Sequence, residues 1–274
     1  MKRLLKIGMI MIGALLGGCQ RSLIYFPQRV TEAQVLAIAQ AAGLSPWRDD
    51  SGQIIGWTAA DVPAAGPARR AVLVCHGNAG FALHRDTYVA ALGRRDDVEP
   101  WDVFLLEYPG YGARPGSPSE TSLKAAAQAA AEVLFTRGYS SIFVVGESLG
   151  SGVASHLAAT FPDRVAGLLL ITPFTSLVDT AAHHYPRVVV RLLLTERYDN
   201  VAALTNYHGP LAVVLAEQDE VIPAALGRSL FEGYSGPKRL WVQPRGHNTL
   251  ALTPDEPWWR ELGAFWREAA TGPR

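Results

Sequence analysis

Two cysteines in 274 residues leave this sequence without a disulfide framework and without a thiolate metal cluster. An excess of charge of one sign is missing as well. The 25 basic residues meet 25 acidic ones with no basic block among them, which argues against a nucleic-acid surface. The seven histidines show no H-E-x-x-H or comparable ligand spacing, so neither a metal nor a metal-borne cofactor is expected. No apolar run reaches the ~20 residues of a spanning helix. What the chain does have is 49% hydrophobic residues and enough length to bury one large core, which predicts a single α/β domain with a minor insertion.

The N-terminus reads as a targeting segment. Lys2, Arg3 and Lys6 give it a positive start, and Ile7 to Leu16 form an apolar run of about ten residues, half the length that would span a bilayer. The run ends Leu16-Gly17-Gly18-Cys19, which resembles the lipobox of bacterial lipoproteins. That resemblance implies cleavage before Cys19 and lipidation of Cys19, with residues 1–18 as signal peptide and the mature chain anchored in a bacterial envelope. Removing three of the 25 basic residues leaves 22 against 25 acidic.

Residues 19–60 read as an anchor and lead-in. Leu23 to Pro27 is a short apolar arm stopped by proline, and Thr31-Glu32-Ala33-Gln34 is a capping-box pattern opening a helix that runs to Gly43. From Trp47 two strands are expected, joined at Asp49-Asp50-Ser51-Gly52. Over 61–274 strands alternate with helices, the pattern of a mostly parallel sheet covered by helices on both faces. Strands are expected at 71–75, 102–107, 141–145, 167–171, 211–216 and 239–243. Trp258, Leu262, Phe265 and Trp266 share one helix face and read as core.

In the middle of this alternation lies Ser141 to Gly152, a buried strand followed by a tight turn into a helix. Gly146 and Gly150 flank Ser148 in the G-x-S-x-G spacing of a nucleophile elbow, where small residues let the serine hydroxyl project at the helix N-terminus. A serine so placed needs a base and a carboxylate to orient that base. In the α/β-hydrolases, which this elbow resembles, both follow it in the chain, each in a loop after a later strand. Asp219 occupies such a loop after Leu211 to Ala216, with Glu217 and Glu220 as substitutes. His247 occupies the next, after the last strand. Backbone donors for an oxyanion are expected at Leu149 and in His76-Gly77-Asn78-Ala79-Gly80, with Asn78 preferred over Ala79. His76 itself reads as ordering this loop, and Cys75 as a buried small apolar residue.

One interval breaks the pattern. Residues 173–209 are too long for a plain crossover and contain two short helical patterns, near Leu177–His183 and Val188–Leu194, so they read as a small helical cap. Phe174, Leu177, Val188, Leu192 and Leu193 would roof an apolar pocket, and the loop Tyr108 to Gly112 would narrow its entrance. A cap this small predicts a short to medium acyl chain.

Taken together, the His76 loop, Glu107 to Gly112, Gly146 to Gly150, Pro173 to Ser176, the Asp219 loop and Gly246-His247-Asn248 resemble the α/β-hydrolase superfamily. The nearest branch is the small membrane-attached serine hydrolases that include eukaryotic protein depalmitoylases, and the likeness spans about residues 23 to 268. It implies Ser148, Asp219 and His247 as a triad, Asn78 and Leu149 at the oxyanion hole, no cofactor, and a small ester or thioester as substrate. Those relatives carry an N-terminal cluster of palmitoylated cysteines where this chain has Cys19 alone, so depalmitoylation of proteins does not carry over. An amidase with the same triad and a non-catalytic envelope lipoprotein on this scaffold are the competing readings, and oligomeric state is not legible.

Overall fold

Eight strands form the central sheet of the computed structural model, which describes residues 20–59, 62, 70–93 and 101–271. Cys19 and the signal segment lie outside the described residues. In chain order the elements begin with β1 (Phe26–Pro27), α1 (Glu32–Ala41), β2 (Leu44–Arg48), β3 (Ile54–Ala59), β4 (Ala71–Cys75), β5 (Ala79–Gly80), α2 (Asp86–Gly93) and β6 (Asp102–Leu106). They continue with α3 (Glu120–Thr136), β7 (Ile142–Glu147), α4 (Gly150–Thr160), β8 (Val165–Ile171), α5 (Leu177–His184), α6 (Arg187–Leu193) and α7 (Asn200–Leu204). The chain closes with β9 (Leu211–Ala216), α8 (Ala224–Gly233), β10 (Lys238–Gln243) and α9 (Trp258–Thr271).

The strand order is β10-β9-β8-β7-β4-β6-β3-β2, parallel from β10 to β6 and antiparallel at β3 and β2. This is the mostly parallel α/β sheet that the alternation predicts. β4, β7, β8 and β9 are apolar runs buried along their length up to Glu147, as strands covered on both faces must be. β2 begins at Leu44 rather than Trp47, because an edge strand tolerates Pro46 on its unpaired side. Its Thr31 capping box starts α1 as the sequence indicates. No helix among the described residues is long and apolar enough to cross a membrane.

Alternation along β7 distributes the layers. Phe143 and Glu147 point to one face, where Phe143 meets Trp266 of α9 and Glu147 meets Tyr88 of α2. Gly146 points to the other, against α4. On the first face Trp101, Phe143 and Trp266 stack with centroids 4.7–5.0 Å apart. Gly167 of β8 lies beneath them, and a Cβ there would sit 2.7 Å from Phe143 and 2.8 Å from Trp266, which explains a glycine inside a strand. The tryptophan stripe of α9 is therefore core: Trp258, Trp259, Leu262 and Trp266 are buried.

Because Trp266 is the ring on which the other two stack, Trp266→Ala should cost about 3–5 kcal/mol of stability. The corresponding fall in melting temperature is about 10 °C, read by thermal unfolding of the purified variant.

Candidate active site

The parallel strands deliver their carboxyl ends to one edge of the sheet, and the loops that follow β4, β7, β8, β9 and β10 converge there. The turn from β7 into α4 is the sharpest of them. Ser148 adopts φ 53°, a left-handed conformation rare for a residue with a side chain. Its N–H donates to Ile171 O at 2.8 Å and its carbonyl accepts from Ser151 N at 2.9 Å, so both neighbours in the sheet and helix hold the strained residue. The flanking glycines are forced by crowding. A Cβ on Gly146 would lie 2.6 Å from Gly150 O, and one on Gly150 would lie 2.1 Å from Cys75 O and 2.5 Å from His76 O.

Ser148 Oγ lies 3.1 Å from Nε2 of His247, and Nδ1 of His247 lies 2.7 Å from Oδ2 of Asp219. In a neutral imidazole this pattern sets Nδ1–H donating to the carboxylate and Nε2 accepting from the serine hydroxyl. Asp219 is held in turn by the N–H groups of Val221 (2.9 Å) and Ile222 (2.7 Å), which donate to its Oδ1. It therefore orients the imidazole and orders its own loop at once. Glu220 accepts from His247 N at 3.1 Å, and Gly246 admits that carboxylate, since a Cβ there would lie 2.7 Å from Glu220 Oε2. The three residues that the sequence proposes from three separate loops are brought into one hydrogen-bonded line.

The loop after β4 sits across from the elbow. Leu149 is the N-cap of α4, in the first turn whose N–H groups have no acceptor within the helix, and Asn78 lines the same cavity as Ser148 and Leu149. Asn78 is fixed from several sides: its side chain donates to Ile24 O (2.7 Å), and its carbonyl accepts from Phe26 N (2.8 Å) and the Tyr111 hydroxyl (2.7 Å). Ala79 is drawn away into β5, which pairs with β1. His76 is buried, with Nδ1 2.7 Å from Gly77 O and its ring against Tyr108 and Tyr111. Tyr108 and Tyr111 are thus a buttress under this loop, bonded to His76 O and Asn78 O, and the expectation that Tyr108 to Gly112 narrows the entrance is corrected. Cys75 is buried, and desolvation pushes its thiol up to about 12.

An apolar cavity of about 680 Å³ opens beside Ser148. Its floor is Phe174 and Leu149, and its roof comes from Leu177 of α5 with Val189, Val190, Leu193 and Leu194 of and after α6. Val188 and Leu192 do not line it. They are 71% and 77% exposed, one turn apart on the outer side of α6, so their expected place in the roof is corrected. The cavity also exceeds what the cap alone encloses, because Gln20, Leu23 and Ile24 of the arm supply another wall.

Next to Ser148 lies one strong interaction that the sequence reading does not include. Arg85 donates from Nε (3.0 Å) and Nη2 (2.6 Å) to the two oxygens of Glu147, which also accepts from the Tyr88 hydroxyl at 3.1 Å. Burial alone would raise the Glu147 carboxyl, but the Arg85 charge outweighs it and holds the group below the usual carboxylate range. Glu147 stands inside the G-x-S-x-G motif, but its partner lies 62 residues earlier in the chain, in the segment after β4, and no local signal links the two. Among the described residues no cluster of side chains suits a metal ion.

A family model for the alpha/beta hydrolase fold matches residues 70–206. An uncharacterized protein of Mycobacterium tuberculosis is 36% identical over 238 residues, covering 85% of this chain and 82% of its own. The chain belongs to the α/β-hydrolase fold family. The human alpha/beta hydrolase domain-containing protein 17B is 30% identical over 189 residues, 68% of this chain and 62% of that one. Among solved structures, a Pyrococcus furiosus esterase superposes with a TM-score of 0.61 at 14% identity, over 90% of this chain and 97% of that one. A CIB-like hydrolase from Thermoplasma acidophilum gives 0.59 at 22% identity, over 82% and 98%. Membership in this α/β-hydrolase family supports a hydrolase. The matched span holds Ser148 and ends before Asp219 and His247.

Removing the cation from the buried pair exposes Glu147 to an uncompensated burial cost, so Arg85→Met should lose about 3 kcal/mol at pH 7. In the wild type the depressed carboxyl contributes stability above the unfolded carboxylate pKa of about 4.3, lost only as pH falls through its lower folded value. In the variant the pair is gone, and the deficit should shrink as the pH approaches 4. Denaturant unfolding of both proteins across pH 4–8 reads this out.

Proposed function

We propose that the protein is a serine hydrolase that cleaves a carboxylic ester or thioester through an acyl-enzyme. The observation that carries this reading is the hydrogen-bonded line Ser148, His247, Asp219, whose serine opens into an apolar cavity. In this reading Ser148 Oγ attacks the acyl carbon while Nε2 of His247 takes its proton, and Asp219 stabilises the imidazolium that forms. The N–H groups of Leu149 and Asn78 receive the developing oxyanion, each such donor being worth about 3 kcal/mol. Water then resolves the acyl-enzyme with His247 as base. The reading extends to a lipid anchor on Cys19 in a bacterial envelope, supported by the Lys2, Arg3, Lys6 start and the apolar run before Cys19. Stable attachment needs two or more acyl chains, at about 0.8 kcal/mol for each buried methylene.

Ser148→Ala should lose several orders of magnitude in ester turnover and all labelling by a fluorophosphonate, and His247→Ala should match it because the three groups act as one unit. Near-native turnover by Ser148→Ala would refute the assignment. Mass spectrometry of the membrane-extracted protein should find Cys19 acylated, and an unmodified Cys19 would remove the anchor from the reading.

The cavity also sets an expectation for chain length. At roughly 30 Å³ for a methylene-sized group, the share of one water molecule in the liquid, 680 Å³ has room for a medium or long acyl chain, which revises the short to medium chain expected from the size of the cap, because the N-terminal arm adds a wall. Each buried methylene contributes about 0.8 kcal/mol until the chain meets the cap. Leu193→Ala should move the optimum toward longer esters in a series from acetyl to palmitoyl. Leu192→Ala, on the outer side of α6, should leave the profile where it is.

A further inference from the structure

Ser148 and His247 open into different spaces. The serine faces the large apolar cavity, while the imidazole lines a second, smaller one of about 200 Å³ together with Arg85, Glu147, Thr172, Asn248 and Leu252. Taking the serine-hydrolase reading as its basis, we infer that this second cavity is the leaving-group subsite and that it takes a compact, neutral, hydroxylated leaving group of about the size of glycerol.

The assignment of sides follows from the atoms that move. The carbon that becomes bonded to Ser148 Oγ carries the acyl chain, so the chain lies on the serine side. The C–O bond to the leaving group breaks as the tetrahedral intermediate collapses. The departing oxygen takes the proton that Nε2 of His247 received from Ser148, so the leaving group departs as a neutral alcohol on the imidazole side. Water entering the vacated space then gives a proton to the same Nε2 as its oxygen bonds to the acyl carbon, and the C–Oγ bond breaks as Nε2 returns that proton to Ser148 Oγ, which releases the acid.

The chemistry of the walls selects the group. Arg85 and Glu147 neutralise one another, so the subsite offers no net charge to an ionic leaving group. Arg85 spends Nε and Nη2 on that pair, and both residues line the subsite. With the Asn248 amide and the Thr172 hydroxyl beside this neutral pair, the lining offers the mixed donors and acceptors that hydroxyl groups require. Thr172 is itself held in a left-handed conformation, φ 45°, unusual for a β-branched residue and fixed by its N–H bond to Val214 O at 2.8 Å. At about 30 Å³ per water-sized group, 200 Å³ accommodates six or seven of them, the heavy-atom count of a small polyol.

The test compares esters of one acid, octanoate, that differ only in the leaving group: 1-glyceryl, methyl and choline. Wild-type enzyme should favour the glyceryl over the methyl ester at least tenfold in kcat/KM, with no advantage for the cationic choline ester. Asn248→Ala, which removes a hydrogen-bonding group, and Leu252→Trp, which fills the cavity, should each lower the glyceryl-to-methyl ratio several-fold. A general folding defect lowers both esters alike and cancels in that ratio. A wild-type enzyme that labels with fluorophosphonate and turns over esters, yet shows a ratio near one or a preference for choline, overturns the subsite and leaves the serine mechanism intact. A ratio untouched by both variants overturns it as well. Failure of Ser148 to label, with octanoyl esters left uncleaved, overturns the subsite and the serine mechanism together.

Discussion

The structure depends on one close approach, that of α4 to the carboxyl end of β4. A Cβ on Gly150 would lie 2.1 Å from the carbonyl oxygen of Cys75, well inside van der Waals contact, so glycine is the residue that lets the helix start there. Gly146 makes the matching concession on the strand side, against Gly150 O and Ala154. Between these two points the chain has room for only one sharp turn. That turn forces Ser148 to φ 53° and lifts its side chain off the sheet edge. The strained conformation of Ser148 is therefore a consequence of packing, with the strain held by the β8 carbonyl of Ile171 on one side and the α4 turn on the other.

What the sequence makes legible follows the strength of its local signals. β4, β8 and β9 are uninterrupted apolar runs, and such runs bounded by turn residues have few alternatives. The order of serine, acid and histidine is similarly plain, because each sits directly after a strand whose end is readable. The cap is different. α6 is Arg187-Val188-Val189-Val190-Arg191-Leu192-Leu193, apolar on nearly every side, so periodicity cannot decide which residues face inward. Only tertiary contact turns Val189, Val190 and Leu193 to the cavity and leaves Val188 and Leu192 outside. α7 is hidden in the sequence for another reason: it is five residues long, and its one cue is the Asp199 side chain accepting from Ala202 N.

Long-range polar contacts were the least legible. Glu196 is buried and has no local partner to betray its role, yet it accepts from Arg21 Nε (3.0 Å), from the Tyr25 hydroxyl (2.5 Å) and from Glu120 N. Glu120 returns the contact, accepting from Arg197 N at 2.5 Å and Tyr198 N at 3.0 Å. Two carboxylates from α3 and the end of the cap thereby join three segments that are more than 70 residues apart in pairs. Burial drives the Tyr25 hydroxyl far above its ordinary pKa, so it stays a donor to Glu196. Nothing in the composition of residues 20–27 distinguishes such an arm from a loose tether, since its partners are set by the fold.

That arm changes what the cavity is. Gln20 donates to Leu193 O at 2.7 Å and accepts from Thr195 N at 3.1 Å, which fastens it to the end of the same helix that roofs the apolar cavity. Three residues on, Leu23 lines the cavity while remaining 74% exposed, so it forms part of the rim. Asn78, from the loop that faces the nucleophile, bonds to Ile24 O and receives Phe26 N on its own carbonyl. The arm is thus hydrogen-bonded to the cap at one end and to the loop after β4 at the other. Under the proposed anchoring, the lipid-bearing Cys19 is the residue next to Gln20, and a membrane surface holding it would lie at the rim of the cavity. An acyl chain would then pass from bilayer to cavity along a path walled by the anchor segment itself, and displacement of the arm would open the cavity and disturb Asn78 in one motion.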